Sequence, residues 1–390
     1  MRFEALLLAG LVLAPSGVDD SVTSDATPAA STDWSIFRGS PSLHGIAQGR
    51  IPAQPELLWT FEAEGPIASS PVVADGRVFF GSDDAKVRAV DAKTGEELWA
   101  FETQDIVEAP PLVAGGLVFI GGHDFFLYAI DAKTGELRWK KELDDKLLGS
   151  ANWFRGAEGK LRIVVGCYDT HLYCFDAESG DEVWRYKTDN YVNGTPAVAG
   201  DRIVFGGCDA GLHVVSASTG EKLTKIELGD ACHVAGSVAI VDGRVYLGHY
   251  GNAFDCVDIE SGEVLWSFQN PRHAFFSSPS VTEDRVVFGG RDRKLHCVNK
   301  DTGEELWAFK TRRKVDGSPV VCGDRVVFGS ADGRLYILDL ADGKELWNFE
   351  AGRSILASPA VHDGRIYIGA NDGRLYAFGP AEEVAEGESK

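Results

Sequence analysis

Three polar side chains stand at the same position of a repeated unit, where together they could hold a metal ion. Glu108, Asn193 and Asp316 each lie three residues before a proline that opens an apolar strand. Two carboxylates and an amide supply the oxygen ligands that a hard cation such as calcium accepts. The other copies carry mainly apolar residues at this position: Ala68, Leu148, Ala235, Phe276 and Leu356. A shared functional site is one interpretation, and a solvated channel rim that tolerates polar side chains is the other.

A second group of residues combines thiols and imidazoles. Its members cluster in three successive copies of the repeat: Cys208, Cys232, His233, His249 and His273. Thiolate and imidazole ligands would suit zinc or copper if they converged. Their spacing contains no Cys-x-x-Cys pair, so unrelated loop residues are the alternative. The candidate ligand-binding residues are therefore Glu108, Asn193, Asp316, His233 and His273.

The elements that position these residues come from a repeat of 40 to 45 residues. The stretch AVDAKTGEELWAFE, residues 89–102, returns as AIDAKTGELRWKKE, residues 129–142. Its tryptophan recurs along the chain at Trp59, Trp99, Trp139, Trp184, Trp266, Trp307 and Trp347. Thr224 stands at the one vacant position. The sequence therefore contains eight copies of the unit, one of them degenerate.

Each copy has the pattern of four short antiparallel strands. In the first complete copy, apolar and β-branched runs cover residues 70–73, 77–81, 87–91 and 97–101. Short Gly/Asp pairs such as Asp75-Gly76 and Asp242-Gly243 separate the first two runs, which is typical of tight hairpins. Four-stranded units at this spacing predict an all-β fold, an eight-bladed β-propeller. The lone tryptophan strand near residues 56–61 would complete the last blade and close the ring, which removes exposed strand edges.

The two ends of the chain differ in composition from the repeats. Arg2 followed by the apolar run 5–14 predicts a secretory signal peptide over residues 1–17, and that run is too short to span a bilayer. We expect a flexible leader over 18–33, a lead-in segment over 34–54 that packs on the propeller, the propeller itself over 55–380, and an acidic disordered tail over 381–390. These features predict an exported protein, periplasmic or extracellular, without a membrane span. We expect it to be a monomer.

The net charge of −21 argues against nucleic acid as a partner, because phosphate binding needs basic patches. The seven cysteines of the chain divide into two sets. Cys174, Cys256 and Cys297 take the third-strand position that is alanine in other copies, which predicts buried free thiols. The remaining four lie in or beside loops, and their pairing stays open: Cys167, Cys208, Cys232 and Cys322.

The repeat motif Ala-x-Asp-x-x-Thr-Gly-x-x-x-Trp resembles the tryptophan-docking repeat of propellers related to pyrroloquinoline quinone (PQQ) dehydrogenases. The resemblance covers about 325 of the 390 residues. It implies that motif tryptophans and glycines lock adjacent blades together. The glycines concerned would be Gly95, Gly135, Gly180, Gly262, Gly303 and Gly343. The lead-in WSIFRG, residues 34–39, also resembles the segment that precedes this repeat in exported relatives.

This family contains two functional kinds. Quinoprotein dehydrogenases are larger, carry an adjacent Cys-Cys pair under the cofactor and bind calcium, whereas no two cysteines are adjacent here. Small propellers such as the outer-membrane barrel-assembly lipoprotein bind proteins and perform no chemistry. Size and the missing Cys-Cys pair favour a non-catalytic platform that binds a protein or peptide through its loops, with no cofactor. The alternative is a PQQ- and calcium-dependent dehydrogenase, with Glu108 and Asn193 as calcium ligands and Asp316 as the general base.

Overall fold

The computed structural model describes residues 33–229 and 232–381. Within them, eight sheets follow one another along the chain, and each contains a four-stranded antiparallel meander. The predicted all-β, eight-bladed propeller is confirmed. The predicted signal peptide, the leader up to residue 32 and the tail from residue 382 lie outside the described residues. In the described part of the chain, no helix is both long enough and apolar enough to cross a bilayer.

The first four blades contain the following strands. Blade 1 comprises β3 (Val72–Ala74), β4 (Arg77–Ser82), β5 (Lys86–Asp91) and β6 (Glu97–Glu102). Blade 2 comprises β7 (Leu112–Ala114), β8 (Leu117–Gly121), β9 (Phe126–Asp131) and β10 (Leu137–Glu142). Blade 3 comprises β11 (Asn152–Arg155), β12 (Leu161–Gly166), β13 (His171–Asp176) and β14 (Glu182–Lys187), with a short 3-10 turn (Ala157–Gly159) between the first two. Blade 4 comprises β15 (Ala197–Ala199), β16 (Arg202–Gly206), β17 (Gly211–Ser216) and β18 (Lys222–Glu227).

The other four blades follow the same plan. Blade 5 comprises β19 (Ala239–Val241), β20 (Arg244–His249), β21 (Ala253–Asp258) and β22 (Val264–Gln269). Blade 6 comprises β23 (Ser280–Val281), β24 (Arg285–Gly289), β25 (Lys294–Asn299) and β26 (Glu305–Lys310). Blade 7 comprises β27 (Val320–Cys322), β28 (Arg325–Gly329), β29 (Arg334–Asp339) and β30 (Glu345–Glu350). Blade 8 comprises β31 (Ala360–His362), β32 (Arg365–Gly369) and β33 (Arg374–Gly379), and its fourth strand is β2 (Glu56–Glu62) from the other end of the chain.

The segment before β2 crosses the inner strands of most blades. Its carbonyl oxygens accept backbone hydrogen bonds from the first strand of successive blades, from Trp34 on blade 1 to Gly45 on blade 7. Strand β1 (Ile46–Ala47) then pairs parallel with β27. The segment contains a 3-10 turn (Phe37–Gly39), in which Arg38 has a positive φ of 66°. The lead-in therefore ties the inner strands together on one side of the channel.

Arg38 carries a buried charge in this lead-in. Its side chain is 1% exposed, and its Nη2 donates to the Pro279 carbonyl and to Ser280 Oγ. Burial lowers the pKa of the guanidinium to about 9. Gly45 must lack a side chain, because a Cβ there would lie 1.9 Å from Arg38 Nη2. The inner side of the lead-in is thus closely packed around this cation.

Adjacent blades are joined by the repeat tryptophans. Trp99 Nε1 donates to the Ala132 carbonyl of the next blade, and a Cβ on Gly135 would lie 2.8 Å from the Trp99 ring. The same ring-on-glycine contact recurs at Trp59 on Gly95, Trp139 on Gly180, Trp184 on Gly220, Trp266 on Gly303 and Trp307 on Gly343. Each of these six tryptophans therefore rests on a glycine of the following copy of the motif, not of its own.

Two junctions depart from this rule. Between blades 4 and 5, where Thr224 replaces the tryptophan, Ile226 faces Gly262 at 3.4 Å from its Cβ position. Between blades 7 and 8, Trp347 packs edge-on against Phe378, with ring centroids 5.3 Å apart. The blade 8 third strand is followed by the end of the propeller and offers no Thr-Gly turn.

In every blade except blade 5, an aspartate in the turn after the second strand does more than form that turn. As predicted for turn residues, Asp124 Oδ1 accepts from the Phe126 backbone N–H. Its other oxygen accepts from the Tyr128 hydroxyl at 2.6 Å, in the third strand. The equivalent pairs are Asp84 with Arg88, Asp169 with Tyr173, Asp209 with His213, Asp292 with His296, Asp332 with Tyr336 and Asp372 with Tyr376. The aspartate therefore anchors the third strand of its own blade.

The third-strand cysteines lie beside the repeat tryptophans. Cys174, Cys256 and Cys297 are fully buried with free thiols, directly opposite Trp184, Trp266 and Trp307 on the neighbouring strand. Burial raises the pKa of the Cys256 thiol to about 11. The prediction of buried free thiols is confirmed. Of the four cysteines left open by the sequence, Cys167, Cys208 and Cys322 also have free thiols, and Cys232 is buried.

Candidate functional site

One face of the propeller carries two loops from every blade. The loop that leads into each first strand (the leading loop) lies beside the loop between the second and third strands (the 2–3 loop). The two are joined by backbone hydrogen bonds, for example from His123 to the Ile106 carbonyl and from Arg291 to the Ala274 carbonyl. We call this side the loop face. The five candidate ligand-binding residues all belong to leading loops and therefore lie on one surface.

A cavity of about 270 Å³ lies on the axis, at the inner ends of the first strands. Six of the eight positions picked out by register line it: Leu148, Asn193, Ala235, Phe276, Asp316 and Leu356. Glu108 is not part of this lining, although the neighbouring Pro110 is. Phe37 of the lead-in also lines the cavity. The structure thus brings Asn193 and Asp316, two of the three polar residues singled out by register, to the same cavity, whereas Glu108, the other predicted calcium ligand, lies outside its lining.

Asp316 is held by two cations. Its carboxylate oxygens accept from Arg291 Nε and Nη2 at 3.2 Å each, and Lys314 Nζ lies 2.5 Å away. The Arg291 guanidinium also stacks on the Phe276 ring, 3.6 Å from its centroid, and Tyr250 packs on Phe276 at 4.4 Å. A charged pair and two aromatic rings therefore form one continuous contact at the channel mouth.

Asn193 is held by a different set of neighbours. Its Oδ1 accepts from the Tyr168 hydroxyl at 2.9 Å, and its Nδ2 donates to the Ala235 carbonyl. Tyr168 stacks on Tyr191 with ring centroids 4.9 Å apart. Burial, with a smaller contribution from surrounding negative groups, raises the pKa of Tyr168 to about 12. The phenol therefore remains a proton donor to the amide at neutral pH.

Glu108 pairs with an imidazole of its own blade. His123 Nε2 lies 2.9 Å from Glu108 Oε2, and the carboxylate is about two-fifths exposed. Burial, followed by the charge of Glu108, raises the pKa of the neighbouring Asp83 carboxyl. The mouth of the channel therefore contains three separate polar contacts, each between different residues.

These contacts do not match the calcium and PQQ site that the quinoprotein alternative requires. Of the two calcium ligands in that alternative, Glu108 has one oxygen in contact with His123, and Asn193 Oδ1 accepts a phenol. The general base of that alternative, Asp316, is paired with a guanidinium and an ammonium. Residues 33–229 and 232–381 contain no group of three or more His, Cys, Asp or Glu side chains arranged to hold a metal.

The predicted imidazole ligands have different partners, although Cys232 Sγ and His249 Nδ1 both lie close to Gly251, at 2.6 and 2.7 Å from the position of a Cβ there. His249 is buried, with Nε2 3.0 Å from Asp255 Oδ2. His233 packs edge-on against Tyr250 at 6.1 Å, while the backbone N–H of His273 donates to Asn270 Oδ1 in the next leading loop. These histidines therefore contribute to blade packing and loop structure.

A belt of hydroxyl groups below the mouth was not recognised in the sequence. In six junctions the backbone N–H of a serine or threonine donates to the hydroxyl of the next blade, at 2.8–3.0 Å. The residues are Ser150, Thr195, Ser237, Ser278, Ser318, Ser358 and Ser70. Pro110 interrupts the belt at blade 2 because it has neither a hydroxyl nor an N–H. The signal was available, since Ser or Thr stands at this register in seven copies.

Solved structures share the fold. BamB from Moraxella catarrhalis is similar with a TM-score of 0.71 and 20% identity, over 83% of this chain and 99% of that one. A quinohemoprotein alcohol dehydrogenase from Pseudomonas putida HK5 gives 0.77 and 16%, over 92% and 82%. The enzyme of the same name from Comamonas testosteroni gives 0.77 and 15%, over 91% and 81%. At these identities the likeness establishes the fold alone.

Comparison of the sequence with curated proteins finds no match. A family profile described as "Outer membrane protein assembly factor BamB" matches three overlapping stretches, residues 51–155, 127–267 and 255–382. Together they span the propeller, from the residues just before β2 to the end of β33. The chain belongs to this family of PQQ-like β-propellers.

Proposed function

We propose that this protein is an exported, non-catalytic interaction platform that binds a protein or peptide through its loop face. The observation that carries the proposal is how the polar side chains of the channel mouth are engaged. Glu108 Oε2, Asn193 Oδ1 and both carboxylate oxygens of Asp316 contact neighbouring side chains. Such contacts hold the side chains of the mouth in fixed orientations, which suits a surface for recognition.

Aromatic side chains on the loop face support the same proposal. Tyr191 and Tyr250 are 45% and 48% exposed, and each packs on a second ring that fixes its orientation. Tyrosines held in one orientation lose little conformational entropy on binding, which is why they are enriched at protein interfaces. The signal-peptide pattern at the N-terminus supports export.

Photocrosslinking tests this proposal. A photoreactive amino acid would replace Tyr191 or Tyr250, and the matched controls would replace Leu98 or Leu306, two exposed residues of outer strands. We expect one and the same protein adduct from both loop-face positions and none from the outer strands, after expression in the source cells. Adducts from the outer strands alone would contradict binding through the loop face.

A titration with PQQ, with and without calcium, separates the platform from the dehydrogenase. The repeat tryptophans supply the fluorescence signal. We expect no saturable quenching, because Asn193 Oδ1 and Glu108 Oε2 contact other side chains and the carboxylate of Asp316 is paired with two cations. Saturable, calcium-dependent quenching at micromolar PQQ would overturn the platform and favour a quinoprotein oxidoreductase.

A further inference from the structure

The leading loops divide the loop face into two halves of opposite charge. Those of blades 1 to 4 carry six acidic side chains and one lysine: Glu64, Asp105, Glu108, Asp144, Asp145, Asp189 and Lys146. Those of blades 6 to 8 carry five basic side chains and one aspartate: Arg272, Arg312, Arg313, Lys314, Arg353 and Asp316. We call the second set the basic arc. It stands out in a chain whose net charge is −21.

The basic arc contains a concave site between blades 7 and 8. A cavity of about 410 Å³ is lined by Arg312, Arg313, Ala331, Asp332, Gly352, Arg353, Ser354 and Asn371. We call it the arginine pocket. Its three arginines are exposed and come from two successive leading loops. The pocket therefore presents three guanidinium groups around one depression.

The one carboxylate in the arginine pocket is already engaged. Asp332 accepts the backbone N–H groups of Arg312 and Arg334 and the Tyr336 hydroxyl. Within the described ranges, no acidic side chain forms an ion pair with the guanidinium groups of Arg312, Arg313 or Arg353. The neighbouring Arg291 and Lys314, in contrast, are both paired with Asp316.

Unpaired guanidinium groups at this site favour a carboxylate-bearing partner. A guanidinium binds a carboxylate through two parallel hydrogen bonds, and it gives up its hydration more readily than an ammonium does. The acidic half of the same face repels an acidic partner and so restricts it to blades 7 and 8. Three guanidinium groups from two blades match several carboxylates along a chain better than they match one small anion.

We propose that the arginine pocket docks an acidic, extended segment of a partner protein. This inference rests on the proposed function and names the chemistry of the partner. Charge complementarity selects the segment, because the pocket is a local excess of positive charge on an acidic protein. Attraction over distances beyond about 10 Å is lost at physiological salt, so recognition depends on direct contact with the pocket.

A labelled acidic peptide is the probe for this pocket. A peptide of about ten residues that alternates Glu and Ser spans two leading loops, at roughly 3.3 Å per residue. Fluorescence anisotropy would measure its binding to the mature protein, and a Gln-for-Glu peptide would be the control ligand. We expect saturable binding of the acidic peptide that weakens as salt is raised, and no binding of the Gln peptide.

Matched charge variants test the location. Arg312→Gln, Arg313→Gln and Arg353→Gln combined remove three charges from the pocket. Lys93→Gln, Lys133→Gln and Lys344→Gln combined remove three exposed charges from the turns between third and fourth strands. We expect the arginine variant to weaken binding about ten-fold and the lysine variant to change it less than about two-fold. Equal weakening by the two variants would overturn the inference.

Two alternative occupants of the pocket, a small anion and the protein's own acidic tail, are tested in the same assay. If inorganic phosphate displaces the peptide at equal concentration, the pocket takes a small anion and the inference is wrong. A chain ending at Ala381 removes the acidic residues 382–390. If this chain binds the peptide more tightly than the full chain, the pocket belongs to the protein's own tail, and the partner assignment falls.

The crosslinking experiment keeps this inference distinct from the proposed function. In the Gln variant of the three pocket arginines, we expect a weaker adduct at Tyr250. An adduct of unchanged yield would be consistent with the platform but would overturn the proposal that the arginine pocket docks an acidic segment. If the protein with all three pocket arginines gave no adduct from any loop-face position, the platform would be contradicted. The peptide titration would still show whether the arginine pocket binds an acidic segment.

Discussion

The junctions between blades and the mouth of the channel are built from the same repeat, but they use it differently. At the junctions one contact, a tryptophan ring on a glycine of the next blade, recurs with little change. At the mouth, the side chain at the same register varies among the blades, so that Asn193 binds a tyrosine and Asp316 binds two cations. The difference indicates that junction positions carry stability, whereas mouth positions are available for recognition.

The largest expected effect comes from removing a junction tryptophan. Trp99→Ala should lower the free energy of unfolding by about 3–5 kcal/mol, because it leaves a cavity against Gly135 and removes the bond to the Ala132 carbonyl. Thr224→Ala is the matched control at the degenerate junction, with an expected loss below about 1 kcal/mol. Urea unfolding followed by circular dichroism measures both. Similar losses would show that the tryptophan junctions are not the main source of stability.

The buried aspartate of blade 4 should give the next largest effect, and one that depends on pH. Burial raises the pKa of Asp209, but hydrogen bonds and charge from His213 and Lys225 outweigh it and hold this pKa below the usual value of 3.8. The ionised carboxylate therefore stabilises the fold above about pH 4, and this stabilisation is lost as the pH falls through the folded-state pKa.

Asp209→Asn should accordingly cost about 3 kcal/mol near pH 7, because it leaves the Lys225 ammonium without its buried partner. The difference from the unaltered protein should shrink steadily below about pH 4. Urea unfolding at a series of pH values provides the measurement. A difference that stays constant with pH would show that the cost comes from altered packing and not from charge.

The sequence predicts the junctions well because they repeat. Periodicity fixes the tryptophans, the hairpin turns and the number of blades, since each copy must meet its neighbours in the same way. One detail required the structure: Trp99 rests on Gly135 of the following motif, not on Gly95 of its own. Within a single motif both residues are present, and spacing along the chain does not reveal which blade supplies the contact.

The sequence predicts the mouth less well, for a physical reason. Register places Asp316 and Glu108 on the loop face, but each leading loop has a 2–3 loop on either side. Asp316 contacts Arg291 from the preceding blade, whereas Glu108 contacts His123 from its own blade. Side-chain orientation decides between these neighbours, and no periodic signal encodes it. The hydroxyl belt, in contrast, does have a periodic signal in the sequence, because Ser or Thr recurs at that register in seven copies.

Two glycines with the same backbone strain make the junction comparison sharper. Gly135 and Gly262 have φ values of +77° and +73°, so alanine is strained at both. Only at Gly135 would the new Cβ meet a tryptophan ring, at 2.8 Å, whereas at Gly262 it meets Ile226 at 3.4 Å. Gly135→Ala should cost about 3 kcal/mol and Gly262→Ala about 1 kcal/mol in urea unfolding. Equal costs would assign the whole effect to backbone strain.

The smallest effect is expected at the mouth itself. Glu108→Gln keeps an oxygen that can accept from His123 and removes only a partly exposed charge, so the free energy of unfolding should change by less than about 0.5 kcal/mol. Urea unfolding at neutral pH measures this, alongside Trp99→Ala as the positive control. A loss above about 2 kcal/mol would place Glu108 with the junction residues, and the separation of stability from recognition would then fail at blade 2. A loss within the expected range leaves the residues of the mouth free to differ from blade to blade, which is what a binding surface on a repeating scaffold requires.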